Sequence, residues 1–383
     1  MQPRPQAISS TMVRGFALLA VALAGLPAQA QEFSVSGFGT LALGQTSGAC
    51  ETNAAMASAF NGPCTRAIAD WGHGGAYTTS LSGKPESRLG VQGQAKLSSD
   101  WSATVQITSR ALDEQHLNLE WAYLSYKINP DWTLQLGRKR LPLYYYSDFQ
   151  DIGYAYNTIR PSPDVYGWDV VNYNGASLSW VKDVGDWSLR SEFLFGTENS
   201  RKNPYSRLVS DDPVDIKWSG IAGVAFEFSR EWFTGRLSYT RSRFQQTDHD
   251  SGVVQTLLSG KTRVNQSFLG LALNGDIGNW VLRSEFGSSD RAGLGYKASF
   301  YLLTAGYRLG GFTLTGGASE YRETTPYPAD YEPVRDRGVL LALRYELHKG
   351  GALKLQFDKV SDRGAAPFAG SAKLISASYD FVF

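Results

Sequence analysis

The final stretch of the chain, AKLISASYDFVF at positions 372–383, alternates between two kinds of side chain. Every second position carries an apolar or aromatic residue: Ile375, Ala377, Tyr379, Phe381 and Phe383. Because side chains of a strand point alternately to opposite faces, this stretch predicts a β-strand with one continuous apolar face. The chain stops on that face, with an aromatic residue as its last side chain.

Two other stretches follow the same pattern and nearly repeat each other. WSLRSEF begins at Trp187, and WVLRSEF begins at Trp280. In each copy an apolar face lies opposite a face that carries an arginine and a glutamate. Each copy also follows a short polar break, Val-Gly-Asp before the first and Ile-Gly-Asn before the second. The repeated unit is therefore a strand that begins with tryptophan directly after a tight turn.

Seven tight turns of this kind lie along the chain, and five of them precede a tryptophan. Each turn joins two alternating segments, which predicts seven hairpins. The hairpins pair residues 87–97 with 101–110, 118–128 with 132–137, 168–182 with 187–198, 216–229 with 232–244, 263–276 with 280–287, 297–309 with 312–321, and 338–348 with 352–359. Single segments at 33–44 and 372–383 bring the prediction to 16 strands.

The connections between the hairpins are long and rich in Pro, Asp, Asn, Ser and Gly. Short turns on one rim, long loops on the other and an even strand number indicate an all-β fold. The predicted fold is a 16-stranded antiparallel transmembrane β-barrel with short periplasmic turns and long extracellular loops. A tryptophan after a turn suits the membrane interface, where an indole ring meets both lipid and water. A water-soluble β-sandwich, the alternative, gives no reason for this placement.

The start of the chain predicts export. Arg4 and Arg14 precede an apolar run at 15–26, and residues 28–30, Ala-Gln-Ala, supply the small residues of a cleavage site. We expect a cleaved secretory signal peptide over residues 1–30 and a single barrel domain over residues 31–383. The apolar run is too short to span a bilayer as a helix. The formal net charge of +1 gives no bias towards polyanions, so no nucleic-acid partner is expected.

Cys50 and Cys64 are the only cysteines of the chain. In an oxidising compartment two such thiols most simply form one disulfide, which would pin a loop. A metal site that includes His73 is the alternative, but two sulfurs and one imidazole make an incomplete set of ligands. We expect neither a metal nor another cofactor.

The predicted barrel resembles the 16-stranded porins of Gram-negative bacteria in strand number, in the contrast between its rims and in its aromatic end at Tyr379, Phe381 and Phe383. SRLGVQGQ at 87–94, WAYLSY at 121–126 and LGRKRLPLYYYSDFQDIGYAY at 136–156 are similar to porin segments of proteobacteria. The resemblance implies an outer-membrane channel for the passive diffusion of small hydrophilic solutes and ions. It also implies a homotrimer in contact with outer-membrane lipids and lipopolysaccharide, whose aromatic end is recognised by the barrel assembly machinery.

Charged positions opposite the apolar strand faces predict a water-filled lumen. An Arg or Lys that faces lipid at the bilayer midplane costs about 2 to 4 kcal/mol, whereas a wide aqueous lumen tolerates it. The basic residues assigned to the lumen are Arg88, Lys96, Arg110, Arg190, Arg236, Arg283 and Arg344. A plugged barrel is the alternative. The register of residues 118–128 stays open, since a bulge near Trp121 would turn Glu120 to the other face.

A loop of about 30 residues at 138–167 is the third long loop of the chain, and ordered loops of this length are usually functional. The resemblance implies that this loop folds into the barrel and narrows it. By position, its acidic residues Asp148, Asp151 and Asp164 are expected at the constriction, facing arginines of the wall such as Arg88. Opposite charges across a narrow gap would create a transverse field. The alternative is that these aspartates cap turns within the loop.

The loop lacks the PEFGG-like stretch of enterobacterial porins and is rich in tyrosine instead. The tyrosines are Tyr144, Tyr145, Tyr146, Tyr154 and Tyr156, with Tyr166 near the end of the loop. Two interpretations are open. The rings either pack the loop against the wall or form a stacking track, which would make the protein a channel selective for sugars, aromatic solutes or carboxylates.

An outer-membrane receptor and a barrel enzyme are the more remote alternatives. The four histidines of the chain lie in separate predicted loops and at one predicted turn. None stands in a recognisable Ser/His/Asp arrangement. We therefore expect no enzymatic activity.

Overall fold

In a computed structural model of the chain, 16 strands form one closed antiparallel barrel. The structure describes residues 32–47, 66–113, 117–209, 212–364 and 370–383. The predictions of a signal peptide over residues 1–30 and of a disulfide between Cys50 and Cys64 lie outside the described residues. In the parts of the chain that are described, no helix is long and apolar enough to cross a membrane.

The strands are β1 (Glu32–Ser47), β2 (Ala67–Asp70), β3 (Gly75–Tyr77), β4 (Arg88–Lys96), β5 (Trp101–Arg110), β6 (Asn118–Lys127), β7 (Trp132–Arg140), β8 (Asn172–Val184), β9 (Trp187–Ser200), β10 (Val214–Arg230), β11 (Phe233–Asp248), β12 (Val264–Ile277), β13 (Trp280–Arg291), β14 (Tyr296–Leu309), β15 (Phe312–Thr324), β16 (Arg335–His348), β17 (Gly351–Asp362) and β18 (Ala372–Val382). Strands β4 to β18 pair in chain order, and β1 closes the barrel between β4 and β18. The short strands β2 and β3 form a separate hairpin in the first long connection.

The predicted all-β barrel of 16 strands is confirmed, and each of the seven predicted hairpins is present. Left-handed backbone at Gly278 (φ 58°) and Gly310 (φ 58°) explains why glycine occupies these turns, since a Cβ atom disfavours that conformation. The largest difference between a predicted and an observed strand start is in β8, which begins at Asn172 and not at 168. Residues 168–171 still belong to the loop before it, because Trp168 packs on Phe268 across the barrel.

The barrel is polar inside and apolar outside, which is the reverse of a water-soluble protein. In β18, Ile375 is 56% exposed, whereas the neighbouring Ser376 is 2% exposed and Asp380 is fully buried. The same alternation of exposed apolar and buried polar side chains runs along β1, β11 and β12. A surface of this kind is stable only against lipid, so the strands span a membrane.

An aromatic girdle surrounds the rim that carries the seven tight turns, which we call the periplasmic rim. Trp101, Trp232 and Trp280 are each between 41% and 51% exposed. The first and the last of these rings contact Tyr126 and Tyr307 on neighbouring strands, with centroids 4.7 and 5.0 Å apart. These rings mark the level of the membrane interface, as the repeated Trp-first heptapeptides predict.

The two ends of the described chain form the seam between β1 and β18. The amide of Gly37 donates to the carbonyl oxygen of Phe383 at 2.8 Å, and the Phe383 amide donates back at 3.0 Å. On the outside, the rings of Tyr379, Phe381 and Phe383 stack in a row, with centroids 5.4 and 6.3 Å apart. The terminal aromatic residues therefore cover the closing seam.

Candidate functional site

The connection between β7 and β8, residues 141–171, folds into the barrel and is called L3 below. A hydrogen bond from the Leu141 amide to the Val171 carbonyl, 2.8 Å long, holds its two ends together. Between these ends L3 passes along the inner wall and bonds to strands on several sides of the barrel. The boundaries 141–171 replace the predicted 138–167, because residues 138–140 still pair with β8.

The first part of L3 is fixed on β11 and β13. The Ser238 hydroxyl donates to the Leu143 carbonyl at 2.5 Å, and the Tyr145 amide donates to Glu285 Oε2 at 3.0 Å. The Tyr166 hydroxyl, on the returning part of L3, donates to Glu285 Oε1 at 2.5 Å. The Glu285 carboxylate thus ties the entry and the exit of L3 to the same strand.

A buried charge cluster fixes the middle of L3, and it consists of Arg88, Arg110, Arg140, Glu120 and Asp151. Arg110 Nη2 lies 2.8 Å from Asp151 Oδ2, and Arg140 pairs with the same oxygen. Glu120 accepts from Arg110 at 2.7 Å and from Arg140 at 3.0 Å. Arg88 Nε donates to the Asp151 backbone carbonyl at 2.8 Å. Three cations therefore surround two carboxylates.

The position of Glu120 depends on a bulge in β6. The pairing of β5 and β6 shifts register between Gln106 and Ile107, which face Trp121 and Leu119 respectively. Glu120 is the unpaired residue at this shift, and it is only 2% exposed. The bulge therefore lets Glu120 reach Arg110 inside the barrel while Leu124, of the same parity, is exposed outside.

The surroundings of Asp151 determine its ionisation. Burial alone would raise the pKa of the Asp151 carboxyl, but the charges of Arg110, Arg140 and Arg88 outweigh burial and hold this pKa well below its ordinary value. Asp151 is therefore an anion at neutral pH, and its charge is compensated locally.

L3 reaches furthest towards the periplasmic rim at residues 153–158. Lys354 Nζ donates to the carbonyls of Gly153 at 2.6 Å and Thr158 at 2.8 Å. The Tyr154 hydroxyl donates to Glu346 and accepts from the amide of Gly350, which is part of a periplasmic turn. L3 thus extends along the wall nearly from one rim of the barrel to the other.

The returning part of L3 is fixed by Arg160. Its guanidinium binds both Glu86 oxygens, at 2.8 and 2.6 Å, and it binds Asp358 Oδ2 at 2.6 Å and the Ser376 hydroxyl at 2.7 Å. The Ile159 amide donates to Gln356 Oε1 at 2.7 Å. All four Arg160 contacts are to residues of other segments, so this side chain fastens L3 to β17, β18 and the loop before β4.

The basic residues predicted for the lumen fall into two groups. Four of them hold L3, namely Arg88, Arg110, Arg236 and Arg344. Of the others, Lys96 and Arg190 are exposed, whereas Arg283 pairs with Asp276 at 2.8 Å and also contacts the Tyr146 side chain of L3. The predicted residues are thus not a single arginine cluster on one wall.

The three predicted acidic residues of L3 have different surroundings. The Asp148 side chain is 40% exposed, with Oδ2 3.9 Å from Arg236 Nη1. Asp151 is 3% exposed in the charge cluster. Asp164 accepts from the Ser319 hydroxyl at 2.5 Å on another side of the barrel. The structure therefore brings only Asp148 to a position that is both charged and open.

The L3 tyrosines mostly pack against protein. Tyr144 is 7% exposed and stacks on Tyr166 with centroids 4.3 Å apart, and Tyr156 is 3% exposed. Tyr145, Tyr146 and Tyr154 are partly buried. The first two contact each other edge to face, with centroids 5.1 Å apart.

Several anchoring residues were not singled out from the sequence, namely Glu86, Arg140 and Arg160. Each is at most 4% exposed and carries an ionisable group. The alternation of side chains along a strand indicates which charged residues face the lumen. It does not indicate which residue of L3 each of them contacts. Arg140 had a usable signal, because it follows Arg138 and Lys139 at the entry of the long loop.

A closed barrel of 16 strands with a polar, charged inner wall and a loop fixed inside it is the architecture of an outer-membrane channel. The model of the Gram-negative porin family matches residues 17–365. The chain belongs to this family. It is thus a multi-pass barrel of the outer membrane that serves passive diffusion.

Solved structures with the same fold share little sequence with the chain. OmpF of Salmonella typhi, in a complex with daunomycin, is 10% identical and superposes with a TM-score of 0.59 over 94% of this chain and 99% of that chain. The outer-membrane channel DcaP of Acinetobacter baumannii is 11% identical, with a TM-score of 0.58 over 92% and 97%. OmpT of Vibrio cholerae, in a trimer form, is 9% identical, with a TM-score of 0.54 over 92% and 100%. No curated protein sequence matches the chain.

Proposed function

We propose that the protein is a general diffusion porin in which L3 narrows the passage for small hydrophilic solutes and ions. The observation that carries this proposal is the anchoring of L3 on the inner wall, from Ser238 through the charge cluster to Lys354 and Arg160. A loop held at so many points occupies part of the cross-section permanently. It would act as a fixed size filter.

We propose further that Asp148 and Arg236 set the charge preference at the narrow passage. Arg236 Nη1 lies 3.9 Å from Asp148 and 3.8 Å from Glu227 Oε2, so one cation stands between two carboxylates. Asp148 and Glu227 remain partly exposed, at 40% and 32% of their side-chain surfaces. The partly exposed Asp148 carboxylate is the L3 charge that a passing ion meets here, and it favours cations over anions.

A channel selective for sugars, aromatic solutes or carboxylates is the second candidate. An L3 stacking track would need a row of accessible rings. The burial of Tyr144 and Tyr156 favours the other interpretation, in which these rings pack L3 against the wall. Selectivity by stacking would thus depend on the partly buried Tyr145, Tyr146 and Tyr154.

The remaining features are proposed from the family. We propose that the chain is exported with a signal peptide over residues 1–30, that Cys50 and Cys64 form a disulfide, and that the barrel assembly machinery recognises the terminal aromatic residues. We also propose a homotrimer in contact with lipid and lipopolysaccharide, which the trimer form of the Vibrio cholerae relative supports. No enzymatic activity is proposed, in line with the porin family and the channel relatives.

Planar-bilayer recordings of the refolded protein under a potassium chloride gradient test the proposal. Ohmic steps in groups of three, without saturable block by sugars or carboxylates, would support a general trimeric porin. A reversal potential of the cation-selective sign would support the role of Asp148. Saturable block by one solute class would favour the selective channel, and a folded barrel that conducts no ions would refute the proposal.

A further inference from the structure

A second feature of the lumen lies away from the charge cluster, near the long-loop rim. It is a cavity of about 290 Å³ enclosed by L3, by the inward faces of β14 to β16 and by the loop after β15. Ligand sites usually have volumes from about 300 to 1,000 Å³, so this cavity suits a small ligand. Neither the size filter nor the charge preference proposed for the channel makes use of it.

Aromatic rings line the cavity in two stacked pairs. Trp71 and Tyr205 have ring centroids 5.5 Å apart, and Tyr296 and Tyr331 have centroids 5.7 Å apart with planes at 16°. The faces of such rings are electron-rich and attract cations. The pairs are contributed by four separate segments of the chain, so the fold itself assembles this lining.

Carboxylates line the same cavity. Glu323 and Asp336 project from β15 and β16, Asp164 belongs to L3, and Asp330 and Glu332 lie in the loop between the two strands. None of the five forms an ion pair with a basic side chain of the described residues. In contrast, the buried carboxylates of the charge cluster are paired with arginine. This cavity is therefore a place in the lumen where several carboxyl groups lack a cationic partner among the described residues.

Neutral groups compensate the carboxylates only in part. Glu323 accepts from the hydroxyls of Tyr321 at 2.8 Å and Tyr331 at 2.9 Å, and from the Val334 amide at 2.8 Å. The Asp336 carboxylate, which is partly buried, has no hydrogen-bonding or ion-pairing partner among the described residues. One carboxylate of the cavity is thus oriented by neutral donors, and a second is open to a ligand.

Neighbouring charges do not supply the missing cation. Arg291 is a buried arginine close to the aromatic lining, but it pairs with Asp169, donates to the Tyr296 hydroxyl at 3.0 Å and lies over the Trp168 ring at 3.9 Å from its centroid. Burial and repulsion from Asp358 raise the pKa of the Asp164 carboxyl, although a hydrogen bond from Ser319 opposes them. Negative charge in this part of the lumen is costly without a counter-ion.

We propose that the cavity binds a small organic cation, a protonated amine on a flat apolar body, with the ammonium group at Asp336 and Glu323 and the body between the aromatic pairs. The described residues contain no group of three or more His, Cys, Asp or Glu side chains arranged to hold a metal ion. The aromatic lining also gives a bare metal ion no ligands, whereas it suits an amine with an apolar body. The inference rests on the proposed channel, because the ligand reaches the cavity through the aqueous lumen.

Three probes of similar shape and different charge test the inference on the folded protein in detergent. They are phenethylammonium, the neutral 2-phenylethanol and the anionic phenylacetate, and their affinities are measured by isothermal titration calorimetry. We expect saturable binding of the cation at least about tenfold tighter than of the alcohol, with no binding of the anion, since one charge-assisted hydrogen bond accounts for a difference of this size. Equal affinity of the wild-type protein for the cation and the alcohol would by itself overturn the inference.

The variants Asp336→Asn and Glu323→Gln identify the site. Each should weaken binding of phenethylammonium about tenfold. Glu320→Gln is the matched control for Glu323→Gln, because it removes the same charge from the same strand, β15. Glu320 lies on the opposite face of that strand, where it pairs with Arg335 and Arg337 at 2.9 and 3.0 Å. Affinity unchanged in Asp336→Asn, or lost equally in the control, would refute the site.

A bilayer recording separates this inference from the proposed function. If the wild-type protein conducts ions but binds no phenethylammonium, only the cation site is refuted. If the protein binds the cation but does not conduct ions, the cation site is supported and the proposed diffusion function is refuted.

Discussion

The substitution Asp151→Asn probes how L3 is held in the lumen. It keeps the shape of the side chain and removes the negative charge that Arg110 and Arg140 contact, leaving both guanidinium groups beside Glu120 alone. Breaking a buried ion pair from one side costs about 3 to 5 kcal/mol. The neighbouring anchors, at Tyr145 and Gly153, involve other partners and remain. We therefore expect L3 to open locally between them, while the barrel stays folded.

The size of the expected effect follows from this free energy. A cost of about 3 to 5 kcal/mol shifts the equilibrium between closed and open L3 by about two to nearly four orders of magnitude. In the closed state the amides of Phe149 and Ile152 donate to the carbonyls of Tyr146 and Phe149 at 3.0 and 2.9 Å, so opening exposes them to solvent. Hydrogen exchange of residues 146–152 should accelerate by at least about a hundredfold, and exchange of residues 159–166 should not change.

The control is Asp148→Asn, which removes the same charge three residues earlier. Its carboxylate is partly exposed and lies 3.9 Å from Arg236. Exposed ion pairs of this kind contribute up to about 1 kcal/mol, so loss of this charge should destabilise the closed state of L3 only slightly. Exchange of residues 146–152 should therefore stay near that of the wild type. Identical exchange in Asp151→Asn and the wild type would show that the charge cluster does not hold L3, and the anchoring role of Asp151 would be refuted.

Three further predictions concern selectivity, pH and the membrane face. Asp148→Asn should move the reversal potential under a potassium chloride gradient towards anion selectivity, and an unchanged potential would remove this residue from the narrow passage. Because the pKa of Asp151 is depressed, its contribution to anchoring L3 is complete above the ordinary carboxyl value of 3.8 and is lost only as pH falls through the lower folded pKa. Protection of the Ile152 amide, corrected for the intrinsic pH dependence of hydrogen exchange, should therefore stay constant from pH 7 to 3.8 and fall below it, and a loss of protection near pH 6 would contradict this. Leu124→Arg should lower the free energy of unfolding of the barrel in lipid by up to about 4 kcal/mol, as measured by urea unfolding. Ser125→Arg, at the next residue and facing the lumen, should lower it much less. Equal losses of stability in the two variants would show that the assigned faces are wrong.

The strands were predictable because the signals for them are local. Alternation over a few residues and a glycine or asparagine turn specify a hairpin regardless of the rest of the chain, and all seven hairpins follow. The start of β8 was placed too early because Trp168 and Val170 continue an apolar pattern. These side chains are buried by the wall across the lumen, which no local pattern shows.

The family resemblance predicted that L3 folds into the barrel, but the sequence did not predict the path that L3 takes there. Sequence position does not distinguish Asp148 from Asp151, because both follow the same tyrosine-rich stretch. The difference between them comes from Arg110 and Arg140, which lie 41 and 11 residues away from Asp151 in the chain. The bulge at Glu120 was recognised as an open question, and long-range pairing between β5 and β6 resolves it.

The position of Gly153 has a consequence for closure of the barrel. A Cβ atom there would collide with Thr40 and Asp380, which belong to β1 and β18, the two strands of the seam. L3 therefore lies directly against both strands that close the barrel, and a side chain at position 153 would press on each of them. We expect a bulky residue at 153 to lower the yield of correctly closed barrels more than it lowers the conductance of the barrels that form.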